Sequence, residues 1–173
     1  VLVDILEAMG ADVVVLGRSE TFIPVDTEAV RAEDIDLARG WAAEHRLDAI
    51  ASTDGDSDRP LLADHEGEWL RGDVLGVLCA QAIGAQSLVT PVSSNTLVEK
   101  CGAFSAVHRT RIGSPYVIAA MAAAQAAKEG IVGGYEANGG FLLASNVTRG
   151  GQTLSALPTR DAVLPIVAAL AAA

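Results

Sequence analysis

Aromatic residues, cysteines and positive charges are all scarce in this sequence. Phe, Trp and Tyr make up 4% of its 173 residues, and 12 Lys and Arg stand against 22 Asp and Glu, so the formal net charge is −10. A protein that binds nucleic-acid backbones needs a basic face, so this charge argues against a nucleic-acid partner. An anionic ligand must therefore be met by local cationic groups.

Long apolar runs are also missing. No stretch approaches the roughly 18 to 20 apolar residues of a transmembrane helix, and the first residues lack a basic region followed by an apolar signal core, so we expect no membrane partner. The two cysteines, Cys79 and Cys101, show no metal-type spacing. We expect both to be reduced, which predicts a cytoplasmic protein.

Helical and strand patterns alternate along the chain. The sequence predicts helices over 33–46, 73–83 and 114–129, strands over 12–16, 47–52, 87–92, 106–110, 131–135 and 141–145, and a last helix from about residue 159. This order predicts an α/β fold class, with two similar layered units that have mixed sheets and flanking helices. Because the pattern restarts near Gly84, the predicted units are residues 1–84 and 85–173.

Three aspartates occupy alternate positions after the predicted strand over 47–52. Carboxylates on alternate residues of an extended turn can converge on one point, and Mg²⁺ prefers oxygen ligands. Without a cation, Asp54, Asp56 and Asp58 would repel one another. Arg59 adds a planar guanidinium that suits phosphate oxygens. The loop therefore predicts a Mg²⁺ site that faces a phosphate, with a plain polar turn as the alternative.

Two further stretches combine charged groups with loop geometry. Arg109 and Arg111 lie at a predicted strand-to-helix junction, where free N–H groups and the helix dipole favour an anion; a helix start with solvated arginines is the alternative. Glu136 and Asn138 lie in the glycine-rich stretch 133–140, where a ligand can approach the backbone and a carboxylate can accept from sugar hydroxyls. A hairpin turn at Asn-Gly is the alternative there.

Taken in order, these stretches resemble the α-D-phosphohexomutase superfamily, which includes phosphomannomutases and phosphoglucomutases. Residues 54–59 read DGDSDR and are similar to its magnesium loop DGDxDR. Residues 110–113 read TRIG, like a TKxG segment of its third domain, and residues 136–139 read EANG, like its sugar loop GExSG. By this order the chain resembles the second and third of four domains, domain II over 1–84 and domain III over 85–173.

The resemblance implies a metal site and a reaction. It implies that Asp54, Asp56 and Asp58 bind Mg²⁺ together with the phosphate of a phosphoserine from the first domain, and that Arg59 orients the phosphoryl group. The implied reaction moves phosphate between C6 and C1 of a hexose through a bisphosphorylated sugar. Its partners are a phosphorylated hexose and domains one and four of the same polypeptide.

The resemblance also assigns the remaining site residues and leaves alternatives open. It implies that Glu136 and Asn138 hold sugar hydroxyls and that Arg111 takes the place of the lysine of the third domain. We expect Arg111 to be catalytic and Arg109, at the same strand-to-helix junction, to contact substrate. The family usually has Ser where Asn138 stands and often His where Gly140 stands, so the preferred hexose stays open.

The sequence contains neither a phosphoserine loop nor a carboxyl-terminal phosphate-binding loop, so the chain is expected to be catalytically incomplete. The hypothesis is part of a phosphomannomutase, with phosphoglucomutase or phosphoglucosamine mutase as alternatives. A non-catalytic metal-binding α/β module and an aspartyl-phosphate phosphatase are the alternatives from other classes.

Overall fold

Helices and strands cover most of the structure, which is a computed structural model that describes residues 1–173. The helices are α1 (Leu2–Ala8), α2 (Ala32–His45), α3 (Gly72–Ile83), α4 (Leu97–Lys100), α5 (Ser114–Ala126) and α6 (Val163–Leu170). The strands are β1 (Ile50–Thr53), β2 (Pro60–Ala63), β3 (Ser87–Pro91), β4 (Ala106–Thr110), β5 (Val132–Tyr135), β6 (Phe141–Leu143), β7 (Val147–Arg149), β8 (Gln152–Leu154) and β9 (Leu157–Asp161).

A five-stranded mixed sheet forms the larger part of the protein. Its strand order is β4-β3-β5-β6-β9, with β3 parallel to β4 and β5, and β6 antiparallel to β5 and β9. The chain passes from β3 to β4 on one side and then to β5 on the other. The loops after β3, β4 and β5 therefore share one edge, where open α/β sheets bind ligands.

Helices cover both faces of this sheet. Successive strand residues point to opposite faces, so Leu88 packs in one core with α3, while Val89 packs in another with Val117 and Met121 of α5. Tyr135 and Phe141 lie on the α3 side and are fully buried. The predicted α/β class, with a mixed sheet and flanking helices, is confirmed by this three-layer arrangement.

The amino-terminal part is built around an antiparallel hairpin. Strands β1 and β2 pair from Ile50 opposite Ala63 to Thr53 opposite Pro60. Leu62 of β2 is buried against Leu75 of α3 and Ile166 of α6, so the hairpin rests on helices that also cover the larger sheet. The predicted division between residues 84 and 85 stays a prediction. Helix α3, which comes before this division, packs on β5, which comes after it.

Two sequence-based predictions of secondary structure were wrong. Residues 12–16 form no strand, because no other strand pairs with them, and Val14 and Val15 are exposed. The last helix begins at Val163 rather than near residue 159, because β9 occupies 157–161 and pairs with β6. Asp161 Oδ1 then accepts the N–H groups of Val163 and Leu164 at 2.8 and 3.2 Å, which starts the helix.

The helices are short. The longest, α2, has 14 residues. None of the six combines the length and the hydropathy that a membrane span requires.

Candidate active site

The loop that carries the three aspartates connects β1 to β2. Asp54 organises it, because its Oδ1 accepts the backbone N–H groups of Asp58 and Arg59 at 3.1 and 3.0 Å. The backbone N–H of Asp54 donates in turn to the Arg59 carbonyl at 3.1 Å. Ser57 adopts a left-handed conformation with a φ of 63°, which reverses the chain inside the loop. An aspartate at residue 54 is well suited to organise the loop, because its short carboxylate reaches nearby backbone N–H groups.

The fold brings the three carboxylates together. One oxygen from each of Asp54, Asp56 and Asp58 lies within 4.8 Å of the others. Asp54 is buried, Asp58 is half-buried and Asp56 is exposed, so the cluster opens to solvent on one side. Such a set of carboxylate oxygens is the donor chemistry that a hard divalent cation takes.

Two observations indicate that this cluster suits a cation. Asp58 Oδ1 is buried and has no hydrogen-bond partner. The pKa of Asp54 is raised above its ordinary value, mainly by burial and also by the charges of Asp56 and Asp58, although the Arg59 N–H acts in the opposite direction. A buried carboxylate oxygen without a hydrogen bond is costly, and the nearby arginines form no hydrogen bond to it, so a bound cation would lower that cost. The residues present therefore fit a bound Mg²⁺.

Arg59 lies beside the cluster. Its Nε is 3.7 Å from Asp54 Oδ2 and 3.6 Å from Asp58 Oδ1, and it forms no hydrogen bond. The side chain is 37% exposed. The guanidinium is therefore held near the aspartates by charge, with its Nε buried and the rest of the side chain partly open to a phosphate.

The glycine-rich loop of residues 136–140 is the turn between β5 and β6. The Glu136 N–H donates to the Gly140 carbonyl at 3.1 Å, and the Gly139 N–H donates to the Glu136 carbonyl at 2.9 Å. Asn138 Oδ1 accepts the Gly140 N–H at 3.0 Å, so this side chain helps to hold the turn. Gly139 has a φ of 88°, which a residue with a side chain rarely adopts.

Glu136 is a buried carboxylate near the metal loop. Its side chain is only 10% exposed. Burial raises its pKa, while the charges of Arg160 and Arg59 lower it and that of Asp58 raises it. Arg160 lies within 4 Å of both Asp58 and Glu136, so the aspartate loop and the glycine-rich loop face each other and form one site.

Arg160 of β9 also belongs to this site, although no motif in the sequence marks it. Its Nη2 lies 2.7 Å from Asp58 Oδ2, and its Nη1 lies 3.9 Å from Glu136 Oε2. The only signal in the sequence is indirect: an acidic protein that gathers several carboxylates needs nearby cations to balance their charge. Thr27 was missed as well; it is buried, and its hydroxyl donates to the Asn138 carbonyl at 3.3 Å.

The two predicted arginines at the end of β4, Arg109 inside the strand and Arg111 just after it, behave differently. Arg109 donates to both carboxylate oxygens of Glu99, at 2.7 and 2.8 Å, and to the carbonyls of Pro91, Ser94 and Asn95. These contacts occupy its donors and favour a structural role, so its assignment to substrate stays a prediction.

Arg111 is exposed at the β4 to α5 connection. Its guanidinium carbon lies 5.9 Å from the centre of the Tyr116 ring. It lies at the same sheet edge as Glu136. Strand β3 lies between β4, which precedes Arg111, and β5, which precedes Glu136, so these two strands are about two strand spacings, roughly 10 Å, apart. Its catalytic role stays a prediction.

Comparison with known proteins places this arrangement in one family. Residues 71–173 match the family model described as "Phosphoglucomutase/phosphomannomutase, alpha/beta/alpha domain III". A phosphomannomutase from Sinorhizobium fredii is 54% identical over 170 residues, which are 98% of this chain and 36% of that protein. A phosphomannomutase from Salmonella muenchen is 52% identical over 163 residues, which are 94% of this chain and 34% of that protein.

More distant relatives belong to the same group of sugar-phosphate mutases by name or share the fold. A phosphoglucosamine mutase from Solidesulfovibrio magneticus is 31% identical over 164 residues, which are 88% of this chain and 34% of that protein. A crystal structure from Thermus thermophilus that carries the phosphomannomutase name has the same fold, with a TM-score of 0.63 and 17% identity over 87% of this chain and 33% of that one. The chain spans about a third of the length of the curated relatives it matches. It belongs to the phosphoglucomutase/phosphomannomutase family.

Proposed function

We propose that this chain is the central part of a magnesium-dependent phosphohexomutase that interconverts hexose 6-phosphate and hexose 1-phosphate. The observation that carries the proposal is the meeting of two loops, the aspartate loop after β1, which includes Arg59, and the loop of Glu136 and Asn138 after β5, with Arg160 between them. One loop suits a cation and a phosphate, and the other suits sugar hydroxyls.

Asp54, Asp56 and Asp58 would hold the Mg²⁺. When bound, it neutralises negative charge on the phosphoryl group that is transferred. Asp54 keeps the loop in shape through its two backbone hydrogen bonds, and Arg59 contributes guanidinium donors toward the same phosphoryl oxygens. The phosphoryl group would pass from a phosphoserine, carried by another part of a longer polypeptide, to a sugar hydroxyl, and the sugar's other phosphate would then return to the serine.

Glu136 and Asn138 would fix the sugar while it reacts at either end. Glu136 is anchored by its backbone and buried, so its carboxylate can accept from hydroxyls without large reorganisation. Asn138 holds the turn through Oδ1 and keeps its amide N–H groups for the ligand. Arg111 would meet the second phosphate of the substrate from the same sheet edge.

The hexose in this proposal is mannose, because the relatives that are 52% and 54% identical are phosphomannomutases. Phosphoglucomutase is the alternative that the family description also includes. Phosphoglucosamine mutase is favoured by the relative that is 31% identical. A non-catalytic metal-binding α/β module remains the alternative from another class, supported only by the aspartate cluster itself.

The chain by itself would be inactive in this proposal, because it has about a third of the length of its relatives and contains no phosphoserine loop and no carboxyl-terminal phosphate loop. Phosphorylated hexose and the remaining domains of the polypeptide are its proposed partners. Two free cysteines fit a reducing compartment, and the proposed location is the cytoplasm.

Phosphorus NMR on the full-length protein that carries this chain tests the proposal. With mannose 1-phosphate and Mg²⁺, the proposal predicts conversion to mannose 6-phosphate without inorganic phosphate, and loss of most turnover in Asp56→Asn. Asp36→Asn, which changes an exposed aspartate of α2, is the matched control. Accumulation of inorganic phosphate would assign a phosphatase instead. Binding of Mg²⁺ without any conversion of mannose, glucose or glucosamine phosphates would assign a binding module.

A further inference from the structure

Arg160 connects two loops that are far apart in the sequence. It extends from β9, one of the two edge strands of the five-stranded sheet, and its guanidinium lies between Asp58 of the aspartate loop and Glu136 of the glycine-rich loop. The side chains of these two acids are 22% and 10% exposed, and that of Arg160 is 31% exposed. This is a partly buried ion-pair network, in which contacts are stronger than between two solvated surface groups.

The backbone beside Arg160 leaves room for its stem. A Cβ at Gly140 would lie 3.2 Å from Cγ and Cδ of Arg160, closer than most contacts of a real Cβ. The absence of a side chain at residue 140 therefore allows the arginine stem to lie against the glycine-rich loop. Its guanidinium then reaches across to the aspartate loop.

The two oxygens of Asp58 have different surroundings. Oδ2 is 2.7 Å from Arg160 Nη2, whereas Oδ1 is buried, lies 3.6 Å from Arg59 Nε and forms no hydrogen bond. An arginine that holds one carboxylate oxygen fixes the direction of the other. Groups that hold a metal ligand in this way commonly change metal affinity by a factor of about 10 to 100 when they are removed.

We propose that Arg160 is a positioning residue that directs Asp58 Oδ1 toward the cation and couples the aspartate loop to Glu136. The inference rests on the proposed metal site. It makes a prediction opposite to that of simple electrostatics: removal of a positive charge next to three carboxylates should strengthen cation binding by charge alone, whereas loss of positioning should weaken it.

The test measures Mn²⁺ affinity by electron paramagnetic resonance, with the full-length protein that carries this chain and Mn²⁺ as the probe. We expect Arg160→Gln to weaken Mn²⁺ binding by about tenfold, and Arg160→Lys, which keeps the charge but not the planar fork, to weaken it less. Arg39→Gln is the matched control, because Arg39 forms an ion pair with Glu68 at 2.6 Å on the surface, and we expect no change in affinity. Circular dichroism checks that each variant is folded. If Arg160→Gln does not fold, the Mn²⁺ affinity of Arg160→Lys is compared with that of the unchanged protein instead.

The outcomes separate this inference from the proposed function. If Asp56→Asn loses Mn²⁺ while the Arg160 variants bind it as tightly as the unchanged protein, or more tightly, Arg160 does not position the ligand and this inference is overturned. If Asp56→Asn also binds Mn²⁺ as tightly as the unchanged protein, the metal site itself is refuted and this inference falls with it.

Discussion

Gly72 and Asn138 are in direct backbone contact: a Cβ placed on Gly72 would lie 2.5 Å from the carbonyl carbon of Asn138. The same atom would lie 2.5 Å from Gly139 N and 2.7 Å from the Ala137 carbonyl oxygen. All three neighbours are backbone atoms, which cannot rotate away. The first residue of α3 therefore sets the position of the loop that carries Glu136.

Substitution Gly72→Ala should lower the free energy of unfolding by about 2 kcal/mol, because the added methyl group forces α3 and the glycine-rich loop apart. Gly40→Ala is a matched control, since Gly40 lies inside α2 and a Cβ there meets nothing within 4 Å. The control should raise stability by about 0.5 to 1 kcal/mol through helix propensity alone. Urea unfolding of both variants measures the difference. Equal effects would show that the Gly72 contact is not tight.

Asp73 provides a pH-dependent contribution to stability. Its carboxylate is 1% exposed and accepts from Arg71 at 3.0 and 2.9 Å and from the Asn95 N–H at 2.9 Å. Burial alone would raise the pKa of Asp73, but these hydrogen bonds outweigh burial and lower it below the ordinary value of 3.8. Stability from a lowered pKa is fully present above the unfolded value and is lost as pH falls through the folded value.

Asp73→Asn should therefore cost about 1 to 2 kcal/mol at pH 7, a range that allows for the solvent exposure of Arg71. The difference between this variant and the unchanged protein should shrink as the pH falls below 3.8. Urea unfolding at a series of pH values measures it. A difference that stays constant down to pH 2 would mean that the charge of Asp73 is not what stabilises the fold.

Substitutions of Arg109 and Arg111 by alanine should differ in their effect on the stability of the protein. Arg109→Ala removes the hydrogen bonds to Glu99 and to the carbonyls of Pro91, Ser94 and Asn95, and should cost about 3 kcal/mol of stability. Arg111→Ala removes one exposed cation–π contact and should change stability by about 0.5 kcal/mol. Thermal unfolding measures both. If Arg109→Ala keeps the stability of the unchanged protein but loses substrate binding, Arg109 contacts the substrate and is not a structural residue.

The aspartate cluster should respond to Asp56→Asn in opposite ways with and without metal. In a chelator, the variant should be slightly more stable, because the charge of Asp56 is among the causes that raise the pKa of Asp54. In saturating Mg²⁺, the unchanged protein should gain thermal stability and the variant should gain little, since a ligand stabilises only a state that binds it. Thermal unfolding of the unchanged protein that does not respond to Mg²⁺ would contradict a metal site in this loop.

Local signals were sufficient for the elements that carry the site. The strand predicted over 106–110 has the bounds of β4, and the helix predicted over 73–83 begins one residue earlier, at Gly72. The aspartate loop was recognisable because three like charges at alternate positions repel one another, and backbone turn preferences alone do not offset that repulsion. The glycines of 133–140 likewise predicted a turn between paired strands, which β5 and β6 form.

Features that depend on distant partners were not predictable in this way. The apolar run at 12–16 has strand composition, but a strand exists only when another strand pairs with it, and none does here. Strand β9 is short and mostly exposed, without a clear alternation, so its pairing with β6 decides its conformation. Arg160 was missed for the same reason, because its contacts with Asp58 and Glu136 arise only from tertiary structure.

The most direct test of the central claim is anomalous diffraction from a crystal of the full-length protein that carries this chain, soaked with Mn²⁺. We expect one strong anomalous peak at the aspartate loop, with one carboxylate oxygen from each of Asp54, Asp56 and Asp58 at coordinating distance, and no such peak in a crystal of Asp56→Asn. A soaked crystal that binds Mn²⁺ elsewhere, and leaves these three carboxylates without a shared ion, would contradict the metal site and the mutase assignment built on it.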